Sequence, residues 1–79
     1  MQTDANPLPA TVPAKVRFGL VLRHAREQLQ LSQEVLAEQA GLHRTYIGQV
    51  ERGERNISVD SMERLAGAVG MELWEMLRP

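Results

Sequence analysis

Apolar residues recur along the chain at the three- and four-residue spacing of amphipathic helices, in five blocks. The first block predicts a helix from about Pro13 to about Gln30, because proline suits a first helical turn and no glycine closes this segment. The apolar residues that define its predicted buried stripe are Phe18, Leu22, Ala25 and Leu29.

The second and third blocks predict two short helices joined by a glycine turn. Ser32 is a suitable N-cap for the second helix, and Gly41 ends it, since glycine adopts a left-handed backbone at little cost. The third helix is predicted from about Arg44 to Glu51, and Gly53 stops it. The residues predicted to face inward from this pair are Leu36, Ala37, Ala40, Leu42, Ile47 and Val50. A polar face remains on the other side of the third helix, formed by Arg44, Thr45, Gly48, Gln49 and Arg52.

Two more helices complete the pattern. Ser58 is the predicted N-cap of a fourth helix that ends at Gly70, with Val59, Met62, Leu65, Ala66 and Val69 facing inward. The fifth helix, from about Leu73 to Arg78, is apolar on nearly every side and needs more than one packing partner. The predicted fold class is all-α, with five helices and no strands.

The beginning of the chain differs in composition from the rest. Residues 1–12 contain two prolines and little apolar periodicity, which predicts a disordered arm before a single domain at residues 13–79. The arm is either a tail or a contact for a DNA minor groove, and its only charged side chain is Asp4.

Several classes of protein and of site are disfavoured by composition. The 79 residues include no cysteine, and His24 and His43 have no spaced metal-ligating partners, so neither a metal nor a cofactor is expected. An enzyme is not expected either, because no nucleophile–base set or phosphate loop is visible. No apolar run approaches the roughly 20 residues of a membrane span, and the expected location is the cytoplasm.

Charge gives only local support for a nucleic-acid partner. The net charge is −1, but residues 43–56 hold three arginines and two glutamates, whereas the balance turns acidic after residue 57. Both a basic face opposite an acidic one and an ordinary mixed surface fit this distribution.

The string LSQEVLAEQAGLHRTYIGQVERGERNISVDSMERLAGAVG resembles the lambda-repressor/Cro family, also called the xenobiotic-response-element family, over about 40 continuous residues. The resemblance implies a compact five-helix lambda-repressor-like domain whose third helix enters the major groove of double-stranded DNA. The RTYI and ERGERN elements also resemble the controller proteins of restriction–modification systems, which are small dimeric regulators. We therefore expect a homodimeric, autoregulatory transcriptional regulator that binds a near-palindromic operator. The alternative is an antitoxin-like or adaptor module for protein interaction.

The resemblance assigns DNA contacts along and beyond the helix pair: Gln33, His43, Arg44, Thr45, Tyr46, Gln49, Arg52, Arg55 and Asn56. Arginine can pair with guanine through two hydrogen bonds, and the threonine methyl can meet that of thymine. Tyr46 either reaches a phosphate or covers the edge of the helix. His43 departs from the serine usual at its position, and it is either a cap or a phosphate neighbour.

Other residues have expected roles away from DNA. By resemblance, Arg26 pairs with Glu51 in a structural role. Trp74 is either a core residue or part of a dimer interface with Leu73 and Leu77. A dimer would place two recognition helices roughly 34 Å apart, one turn of DNA. An additional contact with RNA polymerase is also open, with the acidic residues Glu34 and Glu38 as its candidates.

Overall fold

A computed structural model describes residues 12–78 of the chain, and within that range it contains five α-helices and no strand. The helices in chain order are α1 (Ala14–Gln28), α2 (Gln33–Ala40), α3 (Arg44–Glu51), α4 (Val59–Ala68) and α5 (Leu73–Leu77). The all-α, five-helix prediction is confirmed. The predicted arm at residues 1–12 lies outside the described residues except for Val12, so the division at residue 13 stays a prediction.

Side-chain caps explain where two of the helices begin. The Ser32 hydroxyl accepts a hydrogen bond from the Val35 N–H at 3.0 Å, and the Ser58 hydroxyl accepts one from the Ser61 N–H at 3.1 Å. Each bond satisfies a backbone donor that the first helical turn leaves without a partner. The predicted starts of α2 and α4 are confirmed.

Two helices end two residues earlier than the apolar pattern predicts, and α5 ends one residue earlier, at Leu77 rather than at about Arg78. The first, α1, stops at Gln28, and Gln30 then adopts a left-handed φ of 58° that turns the chain toward Ser32. The fourth, α4, stops at Ala68 rather than at Gly70, whose φ is 73°. In both cases the reversing residue lies just outside the helix that it terminates.

The core gathers side chains from all five helices. The fully buried ones are Phe18, Leu22, Leu36, Ile47, Val50, Leu65 and Met76. Two residues that were predicted to face inward are exposed: Leu29 by 51% and Val59 by 62%. Leu29 follows the last residue of α1 and Val59 is the first residue of α4, so the periodic pattern extends beyond the part of each helix that its neighbours cover.

A glycine allows α1 to lie directly against α3. A Cβ on Gly19 would overlap the carbonyl oxygen of Val50 and would lie 2.9 Å from that of Glu51. Both obstacles are backbone atoms at the end of α3, so the side-chain-free residue sets the distance between these helices. This contact fixes α3 from its inner side.

Candidate nucleic-acid interface

The junction of α2 and α3 leaves the start of α3 in solvent. Ala37 and Ile47 are buried between the two helices, and the turn is made by Gly41 with a φ of 70°. The Leu42 N–H donates to the Ala37 carbonyl at 2.9 Å, which closes the turn. The inner side of α3 is covered, and the exposed residues of the helix start with Arg44 at its first position.

A buried carboxylate connects three helices behind this exposed side. Glu51 is 6% exposed, and its carboxylate accepts hydrogen bonds from Arg26 Nε at 2.7 Å, Arg26 Nη2 at 3.0 Å and Gln33 Nε2 at 3.0 Å. Arg26 Nη1 also donates to the Leu31 carbonyl at 2.9 Å. The hydrogen bond to Glu51 raises the pKa of Arg26. The structure therefore places the predicted structural pair in direct contact, with the charge of Glu51 compensated inside the protein.

Gln33 belongs to both the buried network and the exposed side. One of its amide N–H groups is used by Glu51, while its Oε1 would lie 3.6 Å from a Cβ placed on Gly48. The side chain has a second N–H group that Glu51 Oε1 does not occupy. Gln33 thus reaches from the α1–α3 ion pair to the outer side of α3, where its DNA contact was predicted.

The leading end of α3 presents three exposed residues. Arg44 and Thr45 occupy its first two positions, and His43 is the N-cap residue, with φ −81° and ψ 144°. The His43 side chain makes no capping hydrogen bond. The structure therefore does not show the predicted side-chain cap, and the phosphate contact of His43 stays a prediction.

Further along, three predicted DNA contacts touch one another. The Arg55 guanidinium carbon lies 4.9 Å from the centre of the Tyr46 ring, and Arg55 Nη1 donates to Gln49 Oε1 at 3.2 Å. Tyr46 is half-buried and packs against the core, as the edge-covering role requires. The contact brings the loop after α3 back against the middle of the helix, so Gln49 and Arg55 lie side by side.

The remaining predicted contacts have partners that the sequence did not reveal. Arg52 Nε lies 2.9 Å from Glu54 Oε2, in a pair whose side chains are both more than half exposed. Lys15, at the start of α1, donates to Asn56 Oδ1 at 3.4 Å. Lys15 and Glu54 thus join the candidate interface, and neither has a signal in the linear pattern, since each is brought there by a turn or by helix packing.

A polar recess of about 220 Å³ lies between the start of α2 and the outer side of α3. It is lined by Gln33, Arg44, Thr45, Gly48 and Arg52. Gly48 forms its floor and is itself covered by its neighbours, because Arg52 Nη1 would lie 3.2 Å from a Cβ at this position. The recess combines two guanidinium groups with hydrogen-bonding groups, as anion or base-edge recognition requires.

The predicted dimer residues lie on α5. Trp74 is 61% exposed and stacks under the Arg78 guanidinium at 5.5 Å, whereas Leu73 and Leu77 are partly buried against the core. Trp74 is therefore not a core residue. A groove of about 290 Å³ lies between α4 and α5, and its lining residues are Glu63, Ala66, Gly67, Met71, Glu72 and Leu73.

Neither a metal site nor a membrane-spanning helix is seen in the part of the chain that the structure describes. Within residues 12–78, no three side chains of histidine, aspartate or glutamate are arranged to hold a metal ion. Every helix in this range is too short or too polar to cross a membrane.

Comparison with known proteins identifies the fold and its relatives. A family model described as helix-turn-helix matches residues 22–73. The control protein C.BamHI of Bacillus amyloliquefaciens is 41% identical over 64 residues, which cover 80% of this chain and 79% of that protein.

Solved structures agree with this match. The restriction-modification controller protein C.AhdI from Aeromonas hydrophila is 47% identical, with a TM-score of 0.75 over 78% of this chain and 94% of that one. The controller protein C.Esp1396I, solved as a tetramer with its natural 35 base-pair operator, is 29% identical, with a TM-score of 0.75 over 84% of this chain and 91% of that one. The lambda-repressor-like architecture is thereby confirmed. The chain belongs to the helix-turn-helix family, and its relatives include restriction–modification control proteins.

Proposed function

We propose that this protein is a sequence-specific transcriptional regulator that binds a near-palindromic DNA operator as a homodimer, with α3 in the major groove. Its relatives are named as control proteins, and one of them was solved on its operator, which supports a controller role that includes autoregulation. The relatives are regulators rather than enzymes, and we propose no catalytic role for this chain. The expected cytoplasmic location follows from the same function.

The observation that carries the proposal is the exposed polar side of a helix that is fixed from behind. Arg44 and Thr45 project from the first turn of α3 while Ile47 and Val50 anchor the opposite side. A recognition helix needs both properties, because its base-reading side chains must be free while its axis is held. The recess beside Arg44 offers room for a base edge or a phosphate.

Charge at this surface is more favourable than the sequence count indicated. Residues 43–56 contain three arginines and two glutamates, but Glu51 is buried against Arg26. The exposed groups of this segment are therefore Arg44, Arg52 and Arg55 against Glu54 alone. This local excess of positive charge favours a phosphate backbone although the whole chain is slightly acidic.

Selection of bound duplexes from a random-sequence pool tests the proposal. We expect an enriched, near-palindromic motif with half-site centres about 34 Å apart, and an affinity that falls steeply with salt. Arg44→Ala is expected to relax the preference at one base pair of each half-site. If no sequence is enriched over random DNA at moderate salt, the regulator role is refuted and the antitoxin-like or adaptor module, which the comparisons do not favour, becomes the better account.

For the homodimer, we propose that Trp74 of each protomer packs into the groove between α4 and α5 of the other. The groove is lined by the apolar residues Ala66 and Met71 and by two exposed glutamates, Glu63 and Glu72. The projecting Trp74 carries the Arg78 guanidinium on its ring, so cation and carboxylates are complementary across a two-fold axis.

Sedimentation of the wild type and of Trp74→Ala tests this interface. We expect a wild-type dimer and a folded monomeric variant, because removing an exposed side chain leaves the core intact while the interface loses its central aromatic residue. Leu29→Ala removes another half-exposed apolar residue and is the matched control. A variant that dimerises like the wild type would place the interface elsewhere.

The polymerase contact remains a separate proposal. Glu34 and Glu38 line one side of an open depression of about 420 Å³ that also includes Val35, Leu42 and His43. Because this depression adjoins the start of α3, a basic surface of a polymerase bound beside the operator would be within reach. Glu38→Gln is expected to reduce transcription activation without changing DNA affinity in a binding assay.

A further inference from the structure

Glu54 binds one edge of the Arg52 guanidinium, which would otherwise be free to bind DNA at the candidate interface. Its carboxylate takes two hydrogen bonds from Arg52, from Nε to Oε2 at 2.9 Å and from Nη2 to Oε1 at 3.3 Å. Arg52 borders the polar recess on the outer side of α3. The negative charge therefore sits on an arginine that is predicted to bind DNA.

The geometry of this pair matches the geometry of a phosphate contact. A guanidinium binds carboxylate and phosphate through the same planar fork of two N–H groups. The Nε–Nη2 edge of Arg52 is taken by Glu54, while Nη1 lies over Gly48. A DNA phosphate that seeks two hydrogen bonds from the occupied edge must displace the carboxylate.

The backbone holds Glu54 in this position. Gly53 has a φ of 73°, which reverses the chain at the end of α3, and the Glu54 N–H donates to the Gln49 carbonyl at 2.9 Å. The residue thus follows the helix end directly instead of lying in an open loop. Like any exposed glutamate, Glu54 is charged near neutral pH, and the hydrogen bond from Arg52 lowers its pKa further.

The pair has little to contribute to folding. Both side chains are exposed, 60% for Arg52 and 52% for Glu54, and exposed ion pairs stabilise proteins weakly. We expect the pair to have a larger effect on DNA binding. There the carboxylate both repels phosphates and neutralises one of the three exposed arginines of residues 43–56.

We propose that Glu54 is an internal competitor of DNA phosphate for Arg52 and sets the operator affinity below the value that the arginines alone would give. This inference rests on the proposed DNA-binding function. For an autoregulated gene, the consequence is that operator occupancy rises over a higher range of protein concentration than it would without Glu54.

The test compares Glu54→Gln with the wild-type full chain in binding to a random-sequence duplex across a range of salt concentrations. A non-specific duplex is suitable because phosphate contacts carry no sequence information. We expect the affinity of Glu54→Gln to rise about three- to tenfold at low salt, from the removal of one nearby negative charge. The slope of log affinity against log salt should steepen by about 0.9, since one more phosphate is neutralised.

Glu27→Gln is the matched control. Glu27 pairs with Arg23 at 3.2 Å on α1, with side-chain exposures of 61% for Arg23 and 53% for Glu27, and the substitution changes the net charge equally. We expect its affinity to stay within about twofold of the wild type, because no interface arginine is released. In an Arg52→Gln background, Glu54→Gln is expected to lose its effect on the salt slope.

The outcomes separate this inference from the function on which it rests. A wild type that binds no DNA refutes both. A wild type that binds DNA, with Glu54→Gln no tighter than Glu27→Gln, overturns the role of Glu54 and leaves the regulator intact. A Glu54→Gln variant that binds more weakly also overturns it, because Glu54 would then be orienting Arg52 toward DNA.

Discussion

The two sides of α3 are built on different principles. On the inner side, Ile47 and Val50 are buried, Gly19 of α1 touches the backbone, and Glu51 receives three hydrogen bonds. On the outer side, Arg44 and Thr45 are exposed, and their neighbours contact one another through flexible side chains at the surface.

This difference predicts how substitutions on one short helix divide between stability and recognition. An inner-side change acts on backbone packing or on a buried charge, so unfolding should respond first. An outer-side change leaves the core alone, so DNA affinity or sequence choice should respond first. The experiments below measure stability, DNA recognition or both, and stability is compared at one protein concentration because dimerisation itself adds stability.

Gly19→Ala should have the largest effect on folding. The new methyl group meets two backbone carbonyl oxygens, which cannot move aside as a side chain can, so α1 must separate from α3. We expect the free energy of unfolding to fall by at least about 3 kcal/mol, measured by urea denaturation. An unchanged midpoint would mean that α1 does not hold α3 in the way described.

Arg26→Ala should have the second largest effect on folding. We expect the free energy of unfolding to fall by about 3 kcal/mol, because the substitution leaves the buried Glu51 carboxylate without its cation. The sequences selected from a random pool should be those of the wild type. Arg23→Ala, which breaks an exposed pair, is the matched control and should change stability by less than about 0.5 kcal/mol. Normal melting with an altered sequence preference would reassign Arg26 to DNA recognition.

Local signals made the helices of this chain predictable. Ser32 and Ser58 cap α2 and α4, Gly41 turns the chain, and α3 runs from Arg44 to Glu51 as the pattern indicates. These features depend on residues within one or two turns of each other, so a linear pattern contains them. The helix-turn-helix resemblance then supplied the identity of the recognition helix.

Features that depend on tertiary contact were not predictable in the same way. Leu29 and Val59 fit the apolar periodicity but are exposed, because periodicity cannot show where a neighbouring helix stops. Gly19 lies within a helical segment and gives no sign of the backbone that it touches in α3. Glu54 reaches Arg52 only because Gly53 turns the chain, so a count of charges could not place that carboxylate on an interface arginine.

Arg44→Ala should change DNA recognition and leave stability unchanged, the opposite of what we expect for Gly19→Ala and Arg26→Ala. The side chain is exposed at the first position of α3, so the melting temperature should not change measurably. Selectivity at one base pair should weaken by about 1–3 kcal/mol, the difference that a two-bonded arginine–guanine contact supplies. Arg64→Ala removes an exposed arginine from α4 and should change neither quantity. A loss of affinity that is equal for all sequences would show that Arg44 binds phosphate instead of a base.

Gly48→Ala is the matched counterpart of Gly19→Ala, because both glycines are buried within helices but face different groups. A Cβ at Gly48 would lie 3.2 Å from Arg52 Nη1 and 3.6 Å from Gln33 Oε1, and both are ends of flexible side chains that can shift by a few tenths of an ångström. Replacing glycine inside a helix favours folding by up to about 1 kcal/mol, so stability should hold or rise slightly. DNA binding should weaken by about 1 kcal/mol, the scale of one contact, because the methyl group fills the floor of the recess and displaces Arg52. If Gly48→Ala instead unfolded the protein as Gly19→Ala is expected to, the outer side of α3 would be as rigidly packed as the inner side, and the division between stability and recognition would fail.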